Sequence, residues 1–364
     1  MQRRMRRPLL SVWLRNSSPI ACSAAPSVPS GCRLRLAGMQ TRTLGPFTVS
    51  AIGLGAMPMS MGANDRPAQD KAIATVHAAL DAGVTFIDTA DIYAPSWDQM
   101  GHNERLVAKA LKSYGDTSGI IVGTKGGITR GPGETWGRDG SPEYIRSAVE
   151  ASLRALDREV VDLYQWHRPD RWRLYSEVVE TFKALQDEGK VRAVGISNAN
   201  VEEIEVAIAV LGEGGLASVQ NEFSPRFRSS RDELELCGTH GIAFLPWSPL
   251  GGTGAHSKEV GNAYPAFHEI GLAHGVSPQQ VVLAWELSLG EHVIPIPGAS
   301  RPESITDSAQ AVRLRLTEAE IADLRQDLLV LDERSLEVAY RANRLRDAFT
   351  EATGDTPPVE DQEV

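Results

Sequence analysis

Cysteine is scarce in this chain: three in 364 residues, at positions 22, 32 and 237. Two of them fall in the first 38 residues, so the remainder carries Cys237 alone and can close no disulfide of its own. That excludes a disulfide-stapled secreted scaffold. It fits a reducing, cytoplasmic setting, with Cys237 as a small buried residue on a helix. No apolar run approaches the ~18–20 residues of a membrane span, so no membrane partner is expected. No His, Cys and Asp cluster has metal-ligand spacing, and no metal is expected. The first 38 residues lack any acid but hold seven arginines. Taking those 7 from the 37 basic residues leaves 30 against 47 acidic ones, a balance of −17. A body that acidic repels nucleic acid.

The Arg- and Ser-rich residues 1–38 admit three readings. One is a transit peptide. Another is a secretory signal, although Arg15 interrupts its short apolar stretch. The third, which we favour, is an extension upstream of a natural start at Met39. In each case the segment is expected to be disordered and outside the fold. The tail 351–364 is acidic and Pro-containing, with little to bury, and is expected to be disordered too. Between them, 39–350 reads as one domain.

That domain alternates two patterns. Eight short β-rich runs recur, at Ser50–Leu54, Val84–Thr89, Ile120–Lys125, Val161–His167, Val191–Ser197, Ser218–Glu222, Ile242–Ser248 and Val293–Gly298. Helical stretches separate them. Asp70–Ala82 repeats Ile73, Val76 and Leu80 near helical spacing and meets Gly83. Ser141 followed by Pro142 marks the start of a helix running to Leu156. Leu174–Glu188 puts Tyr175, Val178, Phe182 and Leu185 on one face and closes at Gly189. Strands that each return through a helix lie parallel. Eight such units imply an α/β fold of the (β/α)8 TIM-barrel kind, with a β-hairpin before it and extra helices after it. An open doubly wound sheet would carry G-x-G-x-x-G after its first strand, and Gly53–Leu54–Gly55 begins no such pattern.

In a parallel barrel the C-terminal strand ends form the catalytic rim, and polar residues collect there. Strand two runs into Asp88–Thr89–Ala90–Asp91–Ile92–Tyr93, strand three ends at Lys125 and strand four at His167. A lysine at a buried strand end needs a counter-charge, which Asp88, one strand away, can supply. A cation beside Tyr93 is expected to lower the phenol's pKa and make it a usable acid. His167 can donate to a carbonyl oxygen. Together they describe an acid poised over a polarised C=O. Schiff-base chemistry at Lys125 is the competing enzyme reading, but Asp88 would keep that amine charged and poorly nucleophilic. Each of these residues alone has a bland reading as a structural ion pair or a core polar group. Asn103–Glu104 reads as a cap of the following helix.

Six stretches, D-T-A-D-I-Y, the strand-end Lys125, L-Y-Q-W-H, G-I-S-N, V-Q-N-E and P-W-S-P-L-G, stand in this order from Asp88 to Gly251. They resemble the aldo-keto reductase superfamily, over about residues 40–330. The resemblance implies NAD(P)H-dependent reduction of a small aldehyde or ketone, reversible to alcohol oxidation, with Tyr93 as general acid–base, Lys125 and Asp88 tuning it and His167 orienting the carbonyl. It implies that Ser197, Asn198 and Gln220 grip the nicotinamide carboxamide and that Trp247 stacks on its ring. Ser248, Leu250 and Gly252 would follow the pyrophosphate, and Ser300, Arg301 and Asp307 the adenosine end. Here the pattern departs from the family, with Gly298 and Ser304 where Lys and Arg often stand and Asp307–Ser308 in place of Glu-Asn. These departures leave the choice between the two cofactors open, and with Ser300 and Arg301 remaining as phosphate contacts NADP(H) is favoured over NAD(H). Met57 and Trp97 are candidates for the substrate pocket or for a cover of the barrel top. The family's steroid double-bond reductases carry Glu where this chain has His167, which implies carbonyl rather than C=C reduction. H-R-P-D after strand four resembles the bacterial broad-specificity branch related to potassium-channel β-subunits. A cofactor-binding regulatory subunit of that type is the alternative function, and subunit number is left open.

Overall fold

A computed structural model describes residues 38–61, 66–252 and 260–328. All but the last residue of the basic leader, and the whole acidic tail, lie outside the described residues. The chain opens on an antiparallel hairpin, β1 (Thr41–Leu44) and β2 (Phe47–Ser50), turned at Gly45 with φ +51°. A Cβ at Gly45 would stand 2.6 Å from that of Ala217, so only glycine lets the turn approach this closely. Leu44, Phe47 and Val49 pack with Phe86, Leu163, Ala193, Ala217 and Ile294. The hairpin is thereby fixed against the interior of the sheet that follows.

That sheet is parallel, curled and seven-stranded. Its strands are β3 (Leu54–Gly55), β4 (Phe86–Asp88), β5 (Ile121–Gly126), β8 (Val161–Trp166), β9 (Val191–Ser197), β10 (Leu216–Gln220) and β11 (Ala243–Phe244), paired in that order. A second hairpin, β6 (Ile128–Gly131) with β7 (Thr135–Arg138), projects after β5. Helices α1 (Gln69–Asp81), α2 (His102–Tyr114), α3 (Pro142–Leu156), α4 (Tyr175–Asp187), α5 (Val201–Leu211) and α6 (Arg231–His240) return the chain between strands. Then come α7 (Pro265–His274), α8 (Pro278–Ser288) and α9 (Pro302–Gln310), and a further helix begins at residue 318. Cys237 is fully buried on α6.

Local chemistry explains the boundaries that matched expectation. Ser141 accepts from the Tyr144 amide at 3.2 Å, satisfying one of the orphan donors of α3, and Pro142 occupies its first turn. Val178, Phe182 and Leu185 on α4 are buried, and Tyr175 packs against them. Each such apolar side chain, fully buried, contributes about 1.5–3 kcal/mol.

Three strand expectations need correction. Ser50 belongs to the hairpin, and the first sheet strand is Leu54–Gly55 rather than Ser50–Leu54. Residues 49–56 are buried without a break, so no alternation marks where one pairing ends and the next begins. Ile242–Ser248 shrinks to Ala243–Phe244 with a later bridge at Trp247. Val293–Gly298 is extended but makes only single bridges, Val293 to Phe244 and Gly298 to Gly55. Its amides at Ile294 and Ile296 donate to Phe244 and Pro246, while the carbonyls of Pro295 and Pro297 accept from Gly53 and Gly55. The two prolines have no N–H to return, which keeps this contact from growing into a ladder.

Candidate active site

Asp88 ends β4, and β5, its hydrogen-bonded neighbour, carries Lys125. Lys125 is fully buried and spends its three ammonium donors locally. Nζ donates to Asp88 Oδ2 at 2.6 Å, to the Thr89 carbonyl at 2.8 Å and to Tyr93 Oη at 3.3 Å. The chain turns past β4, with the Tyr93 amide on the Ala90 carbonyl, which sets the phenol over the lysine. The imidazole of His167 meets the Tyr93 ring edge-on, centroids 5.6 Å apart. Asp88 Oδ1 accepts from Gln220 Nε2 at 2.8 Å and Gln165 Nε2 at 3.2 Å, so both carboxylate oxygens are engaged. The four residues Asp88, Tyr93, Lys125 and His167, drawn from three consecutive strand ends, share one buried cluster.

The electrostatics differ in one respect from expectation. Burial pushes the Tyr93 phenol above its ordinary value by more than Lys125 pulls it down, with Asp88 adding to the rise. The lysine does not by itself make this tyrosine acidic. Burial opposes the charge on Lys125, yet the nearby Asp88 and Tyr93 together hold its ammonium above the usual lysine value. Burial, then Lys125 and Arg168, holds His167 far below the usual imidazole value, so its ring is neutral. The arrangement at neutral pH is a protonated phenol, a neutral imidazole and one satisfied ion pair. Because Lys125 donates to Tyr93 Oη, the phenolic hydrogen is left to point into the mouth.

Several supporting residues carried no signal in the sequence. Asn103 and Glu104 do not cap α2, whose N-cap is Gly101. Both are buried: Asn103 Nδ2 donates to the Ala56 carbonyl and to Ser60 Oγ while its Oδ1 accepts from Thr89, and Glu104 Oε1 accepts from Thr124. They tie the ends of β3, β4 and β5 together beneath the rim. Arg130 on β6 donates to the Ile92 and Ala94 carbonyls, on either side of Tyr93, and to Glu134. An isolated N-E pair or a hairpin arginine reads in the sequence as a group facing water, and only the fold reveals what it touches.

Beside the cluster, Ser197 Oγ donates to the Gln220 carbonyl, and Asn198, at φ +57°, donates through Nδ2 to the His167 carbonyl and to Ser197 Oγ. Asn198 Oδ1 and Gln220 Oε1 accept from none of the described residues, so both amide oxygens remain open to a donor. Trp247 is partly buried, and its indole Nε1 has no partner among the described residues. The backbone after it turns through Ser248 (φ +50°), Gly251 (φ +81°) and Gly252 (φ +132°), while Leu250 packs on the core. Open amide acceptors, an unpartnered indole and a positive-φ loop fit a carboxamide-bearing aromatic ring with a phosphate tail.

The other expected residues are more scattered. A Cβ at Gly298 would stand 2.9 Å from Pro58 Cγ, so a side chain there would need Pro58 to shift. Arg301 is exposed, and its Nε donates to Ser304 Oγ at 2.8 Å. Ser300 precedes it at the start of the same turn. Asp307 is already committed: its oxygens accept from Ser277 Oγ at 2.7 Å and Gln280 Nε2 at 2.6 Å, which ties α9 to the first turn of α8. Met57 packs near Tyr93 with Ile92 and Ile128. Trp97 is 39% exposed on a rim loop, anchored through its amide to Glu134. Among the described residues no group of three His, Cys, Asp or Glu could hold a metal, and no helix is long and apolar enough to cross a membrane.

Comparison with known proteins adds an independent line. The sequence profile described as the Aldo/keto reductase family matches residues 51–327. A probable aldo-keto reductase of Glycine max is 33% identical over 303 residues, covering 76% of this chain and 85% of that protein. An uncharacterized oxidoreductase of Schizosaccharomyces pombe is 33% identical over 290 residues, covering 79% and 89%. The crystal structure of an aldo-keto reductase from Klebsiella pneumoniae in complex with NADPH aligns with a TM-score of 0.66 at 26% identity, covering 79% of this chain and 94% of that one.

Proposed function

The chain belongs to the aldo/keto reductase family, and from that premise we propose that it reduces an aldehyde or ketone to the alcohol, reversibly, with NADP(H). The observation that carries the reading is the buried Asp88–Lys125–Tyr93 contact with His167 against the same phenol. On this reading 39–350 is a single (β/α)8 barrel, with the extended segment 293–298 as its eighth stave, and the enzyme works in the cytoplasm. The relatives described above are named as a reductase and an oxidoreductase, which does not favour a regulatory subunit.

A bound nicotinamide supplies the hydride. What the chain supplies is position and a proton. Neutral His167 and Tyr93 Oη face one carbonyl oxygen, where negative charge collects as the carbon is reduced. Tyr93 gives up its proton at Oη, and the ammonium of Lys125, already donating to that oxygen, stabilises the phenolate left behind. Asp88 keeps Lys125 charged and fixed. Gln220 and Gln165 hold Asp88 in turn. Ser197, Asn198, Gln220 and Trp247 would hold the carboxamide and the ring, and Ser248, Leu250 and Gly252 would border the phosphates. Ser300 and Arg301 would receive the adenosine phosphate. Asp307 would serve there only indirectly, through the packing of α9. The NADPH in the Klebsiella structure and the guanidinium of Arg301 favour NADP(H) over NAD(H).

Tyr93→Phe tests the proposal, because it keeps the ring and removes the donor. Turnover of an aldehyde panel with NADPH falls ~10²–10⁴-fold, while NADPH affinity stays near that of the parent. The raised value of Tyr93 keeps it protonated through neutral pH, so the parent does not lose its donor as pH rises towards 9. If Tyr93→Phe keeps most of its turnover across pH 6–9, the proton assignment is wrong.

A further inference from the structure

Arg168 follows His167 directly, at the mouth of the cluster just described. Its guanidinium is half-buried and makes no hydrogen bond or ion pair with any described residue. Burying an arginine without an acid is costly, and here the neighbours worsen it. Burial and the like charge of Arg138 both press against its protonation, and only Tyr93 and Glu222 favour it. Tyr93 is a neutral phenol at working pH. Glu222 forms no ion pair with Arg168, and Arg226 acts on that acid ahead of Arg168. Arg138, at the end of β7, donates to the Pro169 carbonyl at 3.3 Å, which seats it beside the same loop. The acids of that loop are otherwise engaged: Asp170 and Asp139 face Arg173, and Glu203 holds Arg171. The half-buried guanidinium, next in the chain to His167, thus keeps its five donors unspent among the described residues.

We infer that Arg168, backed by Arg138, is a substrate-specificity residue that receives a carboxylate carried by the carbonyl substrate. Resting on the reductase reading above, this narrows the substrate class to aldehydes and ketones bearing an anionic group. A guanidinium donates two parallel hydrogen bonds to a carboxylate, which gives direction as well as charge and would fix the carbonyl end towards Tyr93. Glu222, unpaired with Arg168 yet favouring its charge, is the acid that would compete with a substrate carboxylate.

Calorimetry of 4-carboxybenzaldehyde and benzaldehyde on the NADP⁺-loaded full chain, alongside their NADPH-dependent turnover, tests the assignment. The parent binds the carboxylate about tenfold to a hundredfold more tightly than the neutral aldehyde. Arg168→Met collapses that ratio, Arg168→Lys restores part of it, and Glu222→Gln widens it. A parent without the ratio, or a ratio that survives in Arg168→Met and in the double variant with Arg138→Gln, overturns the inference. If neither aldehyde is turned over but the binding ratio still follows Arg168, the reductase reading falls and the anion site stands.

Discussion

A neutral histidine and a charged lysine share the same dry environment, and neighbours decide which of them keeps its proton. Desolvation penalises the charged form of each. Lys125 overcomes it because Asp88 lies 2.6 Å from Nζ, whereas the charges that act on His167 are the cations Lys125 and Arg168 and its Nδ1 has no partner among the described residues. The depressed value of His167 has a consequence for stability. At pH 7 the imidazole is neutral whether the chain is folded or not. As pH falls through ~6.5 the unfolded chain takes up a proton that the folded chain refuses, so stability is lost on acidification, at up to ~1.4 kcal/mol per pH unit. Urea unfolding between pH 7 and 5.5 should therefore give a shallower pH slope for His167→Asn than for the parent. Identical slopes would mean that His167 protonates in the fold.

At the scale of the element, α8 carries a buried acid with no partner among the described residues. Its start is well made: Ser277 accepts from the Gln280 amide, and Asp307 receives both the Ser277 hydroxyl and the Gln280 side chain. Its interior is buried from Gln280 to Leu287, and there Glu286 is fully buried with neither carboxylate oxygen partnered. Burial alone pushes its carboxyl well above the usual glutamate value. An acid raised in this way favours the fold only below its ordinary value and weakens it as pH rises. Glu286→Met, which keeps the volume and drops the charge, should stabilise the chain by ~1–3 kcal/mol at pH 8 and by less at pH 5. Denaturant midpoints at the two pH values measure it. A loss at both would reveal a compensating partner for the carboxylate.

Over the whole molecule, acidic residues outnumber basic ones 47 to 37. The field of such a chain repels a phosphate-bearing cofactor and an anionic substrate alike. Attraction must therefore be local, and on the proposed reading Arg301 would supply it at the 2′-phosphate. Cofactor that binds only the folded chain raises its stability by mass action, by ~2.7 kcal/mol at a hundred times Kd. NADPH should raise the melting temperature by several degrees. Arg301→Ala should cut the NADPH shift more than the NADH shift. Equal losses with the two cofactors would show that Arg301 does not read the phosphate.

Features that depend on near neighbours in the chain were legible in the sequence. Ser141–Pro142 starts a helix because the cap and the first turn are four residues long. Strand–helix alternation dictates parallel strands, so Asp88 and Lys125 at successive strand ends had to be adjacent, and six motifs in order identified the family. The extents of β3 and β11 were not legible, since an unbroken buried run has no phase, and since Pro246, Pro295 and Pro297 withhold donors only where a partner strand needs them. Nor could sequence assign Asn103, Glu104, Arg130 or Gln165 to the site, because the partners that place them there lie 14 to 77 residues away. Asp307 was drawn to Ser277 and Gln280 by packing between α8 and α9. The direction of the Tyr93 shift was decided only by tertiary structure as well. A neighbouring lysine can be read from strand order, but burial is the summed exclusion of water by the whole fold, and here it outweighs the single charge.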